Sequence, residues 1–260
     1  MKKLLGTLLC CLLAVLAATV QAQISDIKSA INKAGRQRML SQRMAKLYLQ
    51  LGQGIEAERS RRLLDASMAL FDRQLVELKN FAPTPVIKDT YFQLERAWLA
   101  YKDVLVGTAP SKDGARSVMA LSEEVLSLAH QGTMQLEHHG GTVTGRLVNV
   151  AGRQRMLSQR MAKFYQAMLW GAAPANAAAE LAQARQEFTA GLRELESAPA
   201  NTQAIREELE LVKMQWGFFD QALSGRGDDT RRLAAHVATT SERILEVMDN
   251  VTGLYEKLPR

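Results

Sequence analysis

The sequence predicts an all-α protein: two tandem antiparallel four-helix bundles after a signal peptide. Three observations carry that reading. The segment AGRQRMLSQRMAK stands at Ala34–Lys46 and again, unchanged, at Ala151–Lys163. Beyond the first 22 residues Ala, Leu, Glu, Gln, Arg and Met dominate, with apolar residues three and four apart and no strand-like alternation. Breaks rich in Gly and Pro divide the chain into four helical segments, a Gly140-Gly141 joint, and four more.

The elements follow in order. Residues 1–22 begin with Lys2 and Lys3, continue with an apolar run from Leu4, and end in Val20-Gln21-Ala22. That is the pattern of a secretory signal, with cleavage expected after Ala22 and a soluble periplasmic product. The run is short against the ~20 residues of a membrane span, and an uncleaved anchor is the alternative. Cys10 and Cys11 follow large leucines rather than the small residue a lipidation signal uses, and both lie inside this segment. The mature chain therefore has no cysteine, which excludes disulfides, Cys–metal sites and cysteine catalysis.

The first helix is expected to end at Leu51-Gly52-Gln53-Gly54 and the second at Ala82-Pro83-Thr84-Pro85. Thr84 suits an N-cap there and Pro85 the first turn of the third helix. Gly107-Thr108-Ala109-Pro110 through Gly114 closes the third, and Gly140-Gly141 the fourth. The second half repeats the plan with breaks at Gly171-Ala172-Ala173-Pro174, Ala198-Pro199-Ala200-Asn201 and Ser224-Gly225-Arg226-Gly227-Asp228. The halves also align beyond the shared segment. Phe71, Leu75, Glu77 and Leu78 match Phe188, Leu192, Glu194 and Leu195 at an offset of 117. Trp98, Tyr101 and Leu105 match Trp216, Phe219 and Leu223 at 118; Ser122-Glu123 and Glu137 match Ser241-Glu242 and Glu256 at 119. Loops absorb the two insertions. Residues 23–139 and 142–260 are thus read as two copies of one four-helix unit.

Setting aside Lys2 and Lys3, 31 basic residues face 27 acidic ones, a net charge of +4 spread along the chain. No basic run is dense enough for nucleic acid, and export argues against it independently. There is no nucleophile–base pair and no phosphate-cradling glycine loop, so the chain is read as a non-enzyme that needs no cofactor.

The repeated segment is the functional candidate. A packing surface would let Leu, Met and Ile exchange, yet the arginines, glutamines and serine are identical as well, which points to a chemical job done twice. At 100° per residue, Leu40, Met44, Leu47 and Leu51 fall within about 60° and form a core stripe. Opposite lie Ile31, Ala34, Gly35, Arg38, Gln42 and Ala45, mostly small residues around one arginine; Val148, Ala151, Gly152, Arg155, Gln159 and Ala162 repeat them. Small side chains allow a second helix to approach closely, so two such faces can meet with Arg38 opposite Arg155. Facing guanidinium groups repel unless something negative lies between them: a carboxylate from another helix, or a small planar oxyanion suited to their fork of donors. Arg36, Arg43, Arg153 and Arg160 project about 120–140° away from the stripe and are read as solvated or paired with acidic neighbours.

The stretch Ala30-Ile31-Asn32-Lys33-Ala34-Gly35, with Arg38-Met39, Ser41 and Arg43, resembles the first helix of the periplasmic sensor domain in nitrate/nitrite sensor histidine kinases. The full thirteen-residue string is more similar to the related N-terminal domain of type IV pili methyl-accepting chemotaxis transducers. The resemblance implies a four-helix bundle. In the nitrate sensors two copies of this helix meet across a dimer and hold nitrate between paired arginines, which correspond here to Arg38 and Arg155. Arg36-Gln37, Leu40 and Gln42 depart from the nitrate-sensor pattern, and Val148 and Val150 flank Asn149 in the second copy. No transmembrane pair, kinase or methyl-accepting segment accompanies the repeats. Two functions follow as expectations. One is an exported sensor-type protein holding a nitrate- or nitrite-like anion between Arg38 and Arg155. In it Ala34, Gly35, Gln42, Ala151, Gly152 and Gln159 permit the close approach. The other is an interaction module whose small-residue stripe pairs with the same helix of a membrane-bound sensor kinase or chemotaxis transducer, or of a second copy.

Other candidates are weaker. His138-His139 beside Glu137 point about 100° apart on a helix and lack a third metal ligand at suitable spacing. Arg226-Gly227-Asp228 is ordinary turn chemistry. Trp98, Trp216 and the methionines at 39, 44, 156 and 161 are expected in the core.

Overall fold

The computed structural model describes residues 24–107, 109–225 and 229–259. The segment expected to be a signal, with its two cysteines, and the Arg226-Gly227-Asp228 tripeptide lie outside the described residues. The rest is helical: α1 (Ile27–Gly52), α2 (Ala57–Phe81), α3 (Pro85–Gly107) and α4 (Lys112–Gly140), then α5 (Val143–Trp170), α6 (Ala177–Glu196), α7 (Gln203–Ser224) and α8 (Thr230–Lys257). Local chemistry sets the ends. Asp26, Ser111, Thr142 and Thr202 cap α1, α4, α5 and α7 through side-chain oxygens. Thr84 Oγ1 accepts the Ile87 amide at 3.3 Å as Pro85 opens α3. Gly114 belongs to α4 rather than to the preceding break, because Ser111 Oγ takes its amide at 3.1 Å.

Two tandem helical bundles result. In the first, α1 packs on α2 and α4, and α3 on α4; in the second, α5 packs on α6 and α8, and α7 on α8. Matching aromatic clusters hold the outer helices. Phe71 lies 4.2 Å from Trp98, which meets Tyr101 edge-on; Phe188 lies 4.4 Å from Trp216, which meets Phe219. Trp98 is fully buried as expected, whereas Trp216 is half-buried on an exposed stretch of α7. Met39, Met44, Met156 and Met161 are all in the core.

The bundles do not keep separate cores. The most extensive packing in the molecule is between α1 and α5, and one apolar cluster runs through both repeats. Both small-residue stripes face inward: Ile31, Ala34, Arg38, Gln42 and Ala45 on α1 and Val148, Ala151, Arg155, Gln159 and Ala162 on α5 have no solvent exposure. The pairing is parallel, with position 35 beside 152, 46 beside 159 and 53 beside 166. An approximate twofold axis therefore runs along the helices and passes between Gly35 and Gly152. A β-carbon on Gly35 would stand 3.7 Å from the Gly152 α-carbon and 3.2 and 3.5 Å from the Arg38 and Arg155 Nη2 atoms. Glycine at both positions leaves this space to the two guanidinium groups, and a larger side chain would press on them.

Gly35→Val or Gly152→Val should thus cost about 1–3 kcal/mol through overpacking, read as a lower urea midpoint. Gly217→Ala, at an open helical position where a β-carbon meets nothing within 4 Å, should instead gain about 0.5–1 kcal/mol.

Candidate functional site

The seam between α1 and α5 concentrates the polar residues of the repeated segment, and burial forces each to find a partner. Arg38 Nη2 donates to Asn149 Oδ1 at 2.6 Å and to its carbonyl at 3.2 Å. Arg155 Nη2 makes the same bonds to Asn32, at 2.8 and 3.2 Å. Each asparagine donates in turn to a carboxylate, Asn149 to Glu137 and Asn32 to Glu256 at 2.5 Å. Arginine of one repeat, asparagine of the other and glutamate of the first form a relay, present twice.

A second pair of networks lies along the seam. Lys46, with no exposure, donates to Gln159 Oε1 at 2.7 Å, to Ser241 Oγ at 3.1 Å and to Glu242, which also binds Arg43. Lys163 reaches Ser122 Oγ at 3.2 Å and Glu123, which Arg160 also holds. Every lysine anchor crosses between repeats. Burial draws both ammonium groups down to about 8. Burial would also raise the Glu242 carboxyl, but Lys46 and Arg43 together outweigh it and hold it at about 2. The remaining arginines are ion-paired: Arg36 with Asp249 at 2.7 Å, Arg153 with Glu187 at 2.6 Å, and Arg160 with Glu180 at 2.7 Å. Gln42 and Gln159 donate to the Ser122 and Ser241 carbonyls at 3.0 and 2.9 Å, tying α1 to α4 and α5 to α8.

The two halves differ at one decisive position. Arg155 Nη1 forms an ion pair with Asp249. The matching residue beside Arg38 is His130, whose Nδ1 lies 3.2 Å from Arg38 Nη1. A guanidinium only donates, so this ring nitrogen accepts and the imidazole is neutral. Burial first, then Arg38 and Arg153, outweigh Glu187 and bring His130 down to about 4. Arg38 is thus a fully buried cation with no carboxylate in direct contact among the described residues; burial and the nearby Arg153 and Arg155 work against its charge. Buried and without a hydrogen-bond partner among the described residues are Arg38 Nε, Arg155 Nε, Gln42 Oε1 and Tyr91 OH. A surface cavity of about 270 Å³ lined by His130, Arg153, Arg160 and Glu187 flanks the seam. Its counterpart of about 470 Å³ is lined by Arg36, Arg43, Glu242 and Asp249.

The pattern of the family described as type IV pili methyl-accepting chemotaxis transducer N-terminal domain matches residues 20–122 and again 143–251. The chain belongs to that family. It carries the domain twice, and the two matches are the two repeats. No curated protein and no solved structure matches the chain. As a type IV pili transducer N-terminal domain it is a sensor-type module, and the domain is a sensing rather than a catalytic one.

The structure brings Arg38, Arg155 and all six supporting residues into one seam. Sequence reasoning did not assign Asn32, Asn149, Lys46 and Lys163, although the last two close the repeated string. Nor did it give roles to Glu137 and Glu256 or to the two Ser-Glu pairs, which the 119-residue offset had already aligned. That offset also sets His130 against Asp249. Of the proposed metal candidates, Glu137 is engaged by Asn149, and His138 and His139 are exposed in the last turn of α4.

Two outcomes are expected. His130 binds its proton less readily folded than unfolded, so the stability it confers is complete above about pH 6.5 and is lost as pH falls toward 4. His130→Gln should flatten that limb of a pH–stability curve, and His130→Asp, which gives Arg38 the partner Arg155 has, should raise the denaturation midpoint at pH 7. Glu242→Gln, which leaves Lys46 and Arg43 uncompensated, should cost about 3–5 kcal/mol in urea unfolding. Glu123→Gln should cost less, because that carboxylate is 39% exposed against 12% for Glu242.

Proposed function

We propose that the protein is an exported, periplasmic sensor module whose inter-repeat seam receives a small oxyanion, nitrate or nitrite, between Arg38 and Arg155. The supporting observation is the charge imbalance at the twofold axis. Two buried guanidinium groups converge on Gly35 and Gly152, and among the described residues only one of them has a carboxylate in direct contact. A planar monoanion would give Arg38 the missing negative partner and accept from the Nε and Nη donors of both arginines. Gly35, Gly152, Ala34 and Ala151 let the two helices close on so small a ligand, and Gln42 and Gln159 fix α4 and α8 behind them. Because ligand and both arginines share one seam, occupancy would be felt by α1 and α5 together.

The interaction reading loses its proposed surface. Both small-residue stripes are turned against each other, so neither is available to a partner's first helix unless the repeats separate.

Calorimetric titration of the mature protein with nitrate, nitrite and acetate tests the proposal. Nitrate or nitrite should bind and raise the melting temperature by mass action. Losing one charge-assisted donor set, about 1.5–3 kcal/mol, should weaken binding roughly tenfold to a hundredfold in Arg38→Ala and Arg155→Ala. Arg206→Ala, on the exposed face of α7, should bind normally. If wild type binds none of the three anions, or both variants bind as it does, the seam arginines are structural.

A further inference from the structure

Approximate symmetry makes each repeat a control for the other, and at one place the copies differ in volume. Gly54 and Gly171 share positive φ angles of 67° and 69°. The residues after them, Ile55 and Ala172, donate to equivalent carbonyls, Gln50 O at 2.9 Å and Ala167 O at 3.0 Å. In the first repeat Ile55 is buried against Ala234 and Ala238 of α8, and Glu56 beside it accepts from the Thr239 hydroxyl at 3.2 Å. In the second repeat Ala172 is followed by Ala173 and Pro174, and the counterparts of Ala234 and Ala238 on α4, at the 119-residue offset, are Ala115 and Met119. Where the first repeat is filled by Ile55, the second has a cavity of about 380 Å³, walled by Met119, Phe164, Ala172 and Pro174.

The rim sets the charge of an occupant. Glu123 and Glu180 reach it, but all four of their carboxylate oxygens already accept bonds, from Arg160, Lys163 and Asn176. Arg160 and Lys163 thus already balance much of the negative charge that a cationic ligand would need. Arg116, also on the rim, is paired among the described residues only with the exposed Asp113, a pair that solvent screens. Lys112 Nζ adds a second positive charge 3.7 Å from where a β-carbon on Gly171 would stand. An apolar chamber with a few polar groups at its mouth is the ordinary form of a small-molecule site.

We infer that this cavity, remote from the Arg38–Arg155 axis, binds a small amphipathic carboxylate, its aromatic or branched apolar body against Phe164, Met119 and Pro174 and its carboxylate toward Arg116. The reading is independent of the oxyanion proposal and stands or falls separately.

The test uses 3-phenylpropionate as probe and 3-phenylpropylamine as its charge-reversed control, followed by saturation-transfer NMR and calorimetry on the full mature protein. The acid should bind at millimolar concentration or below, and the amine more weakly. Ala172→Ile, which installs the side chain that fills the first repeat, should abolish binding while leaving the melting temperature equal or higher. Should that variant fail to fold, Ala120→Leu closes the chamber from α4 and is read instead. Arg116→Ala should weaken the acid about tenfold, the loss of one charge-assisted hydrogen bond. No binding by wild type, binding that survives the filled cavity, or an amine that binds as well as the acid would each overturn the inference.

Discussion

Four cations that water does not reach, Arg38, Lys46, Arg155 and Lys163, govern how the rest of this molecule is arranged. A buried charge without a partner costs several kcal/mol, so each needs an oxygen at a fixed place. For all four, at least one such oxygen belongs to the other repeat. The two bundles consequently have one relative position. Sliding α1 along α5 by a single turn would take Lys46 from Ser241-Glu242 and Arg38 from Asn149 at the same time. Apolar packing alone would tolerate such a slip far better, since small residues recur along both faces.

The same constraint explains why thirteen letters are spelled twice. Ala34 and Gly35 set the helix spacing, Arg38 and Lys46 carry the cross-links, and Gln42 ties α1 to α4. Ser41 returns its hydroxyl to the Arg38 carbonyl at 2.8 Å, and Arg43 shares Glu242 with Lys46. Exchange at Arg38, Arg43 or Lys46 strands a partner in the other repeat. Apart from Asn32 and Asn149, the immediate flanks have drifted.

Helix number, the breaks, the Thr84-Pro85 start and the two opposed stripes of α1 were legible in the sequence, because periodicity and turn chemistry are local. The register of α1 on α5 was not, since it depends on which distant oxygens the cations find. Lys46 and Lys163 show why. A lysine closing an amphipathic segment ordinarily reads as solvated, and only the crossing of two repeats buries it. Asn32 and Asn149 were visible as retained letters, yet their task, joining an arginine and a glutamate of the other repeat, is a property of three segments at once. The expectation of two bundles was sound in its helices; its omission was that the faces reserved for a ligand or partner would merge the bundles into one core.

Joining the repeats through Gly141 and Thr142 has a kinetic consequence. In a two-chain arrangement the arginine pair exists only when subunits meet, so its abundance depends on protein concentration. Here the second helix arrives as part of the same polymer, at an effective concentration set by a two-residue tether. Closure of the seam is unimolecular, and its occupancy is the same in a dilute compartment as in a crowded one. The fusion also frees each half from copying the other, so that a histidine can stand on one side of the axis while an aspartate stands on the other.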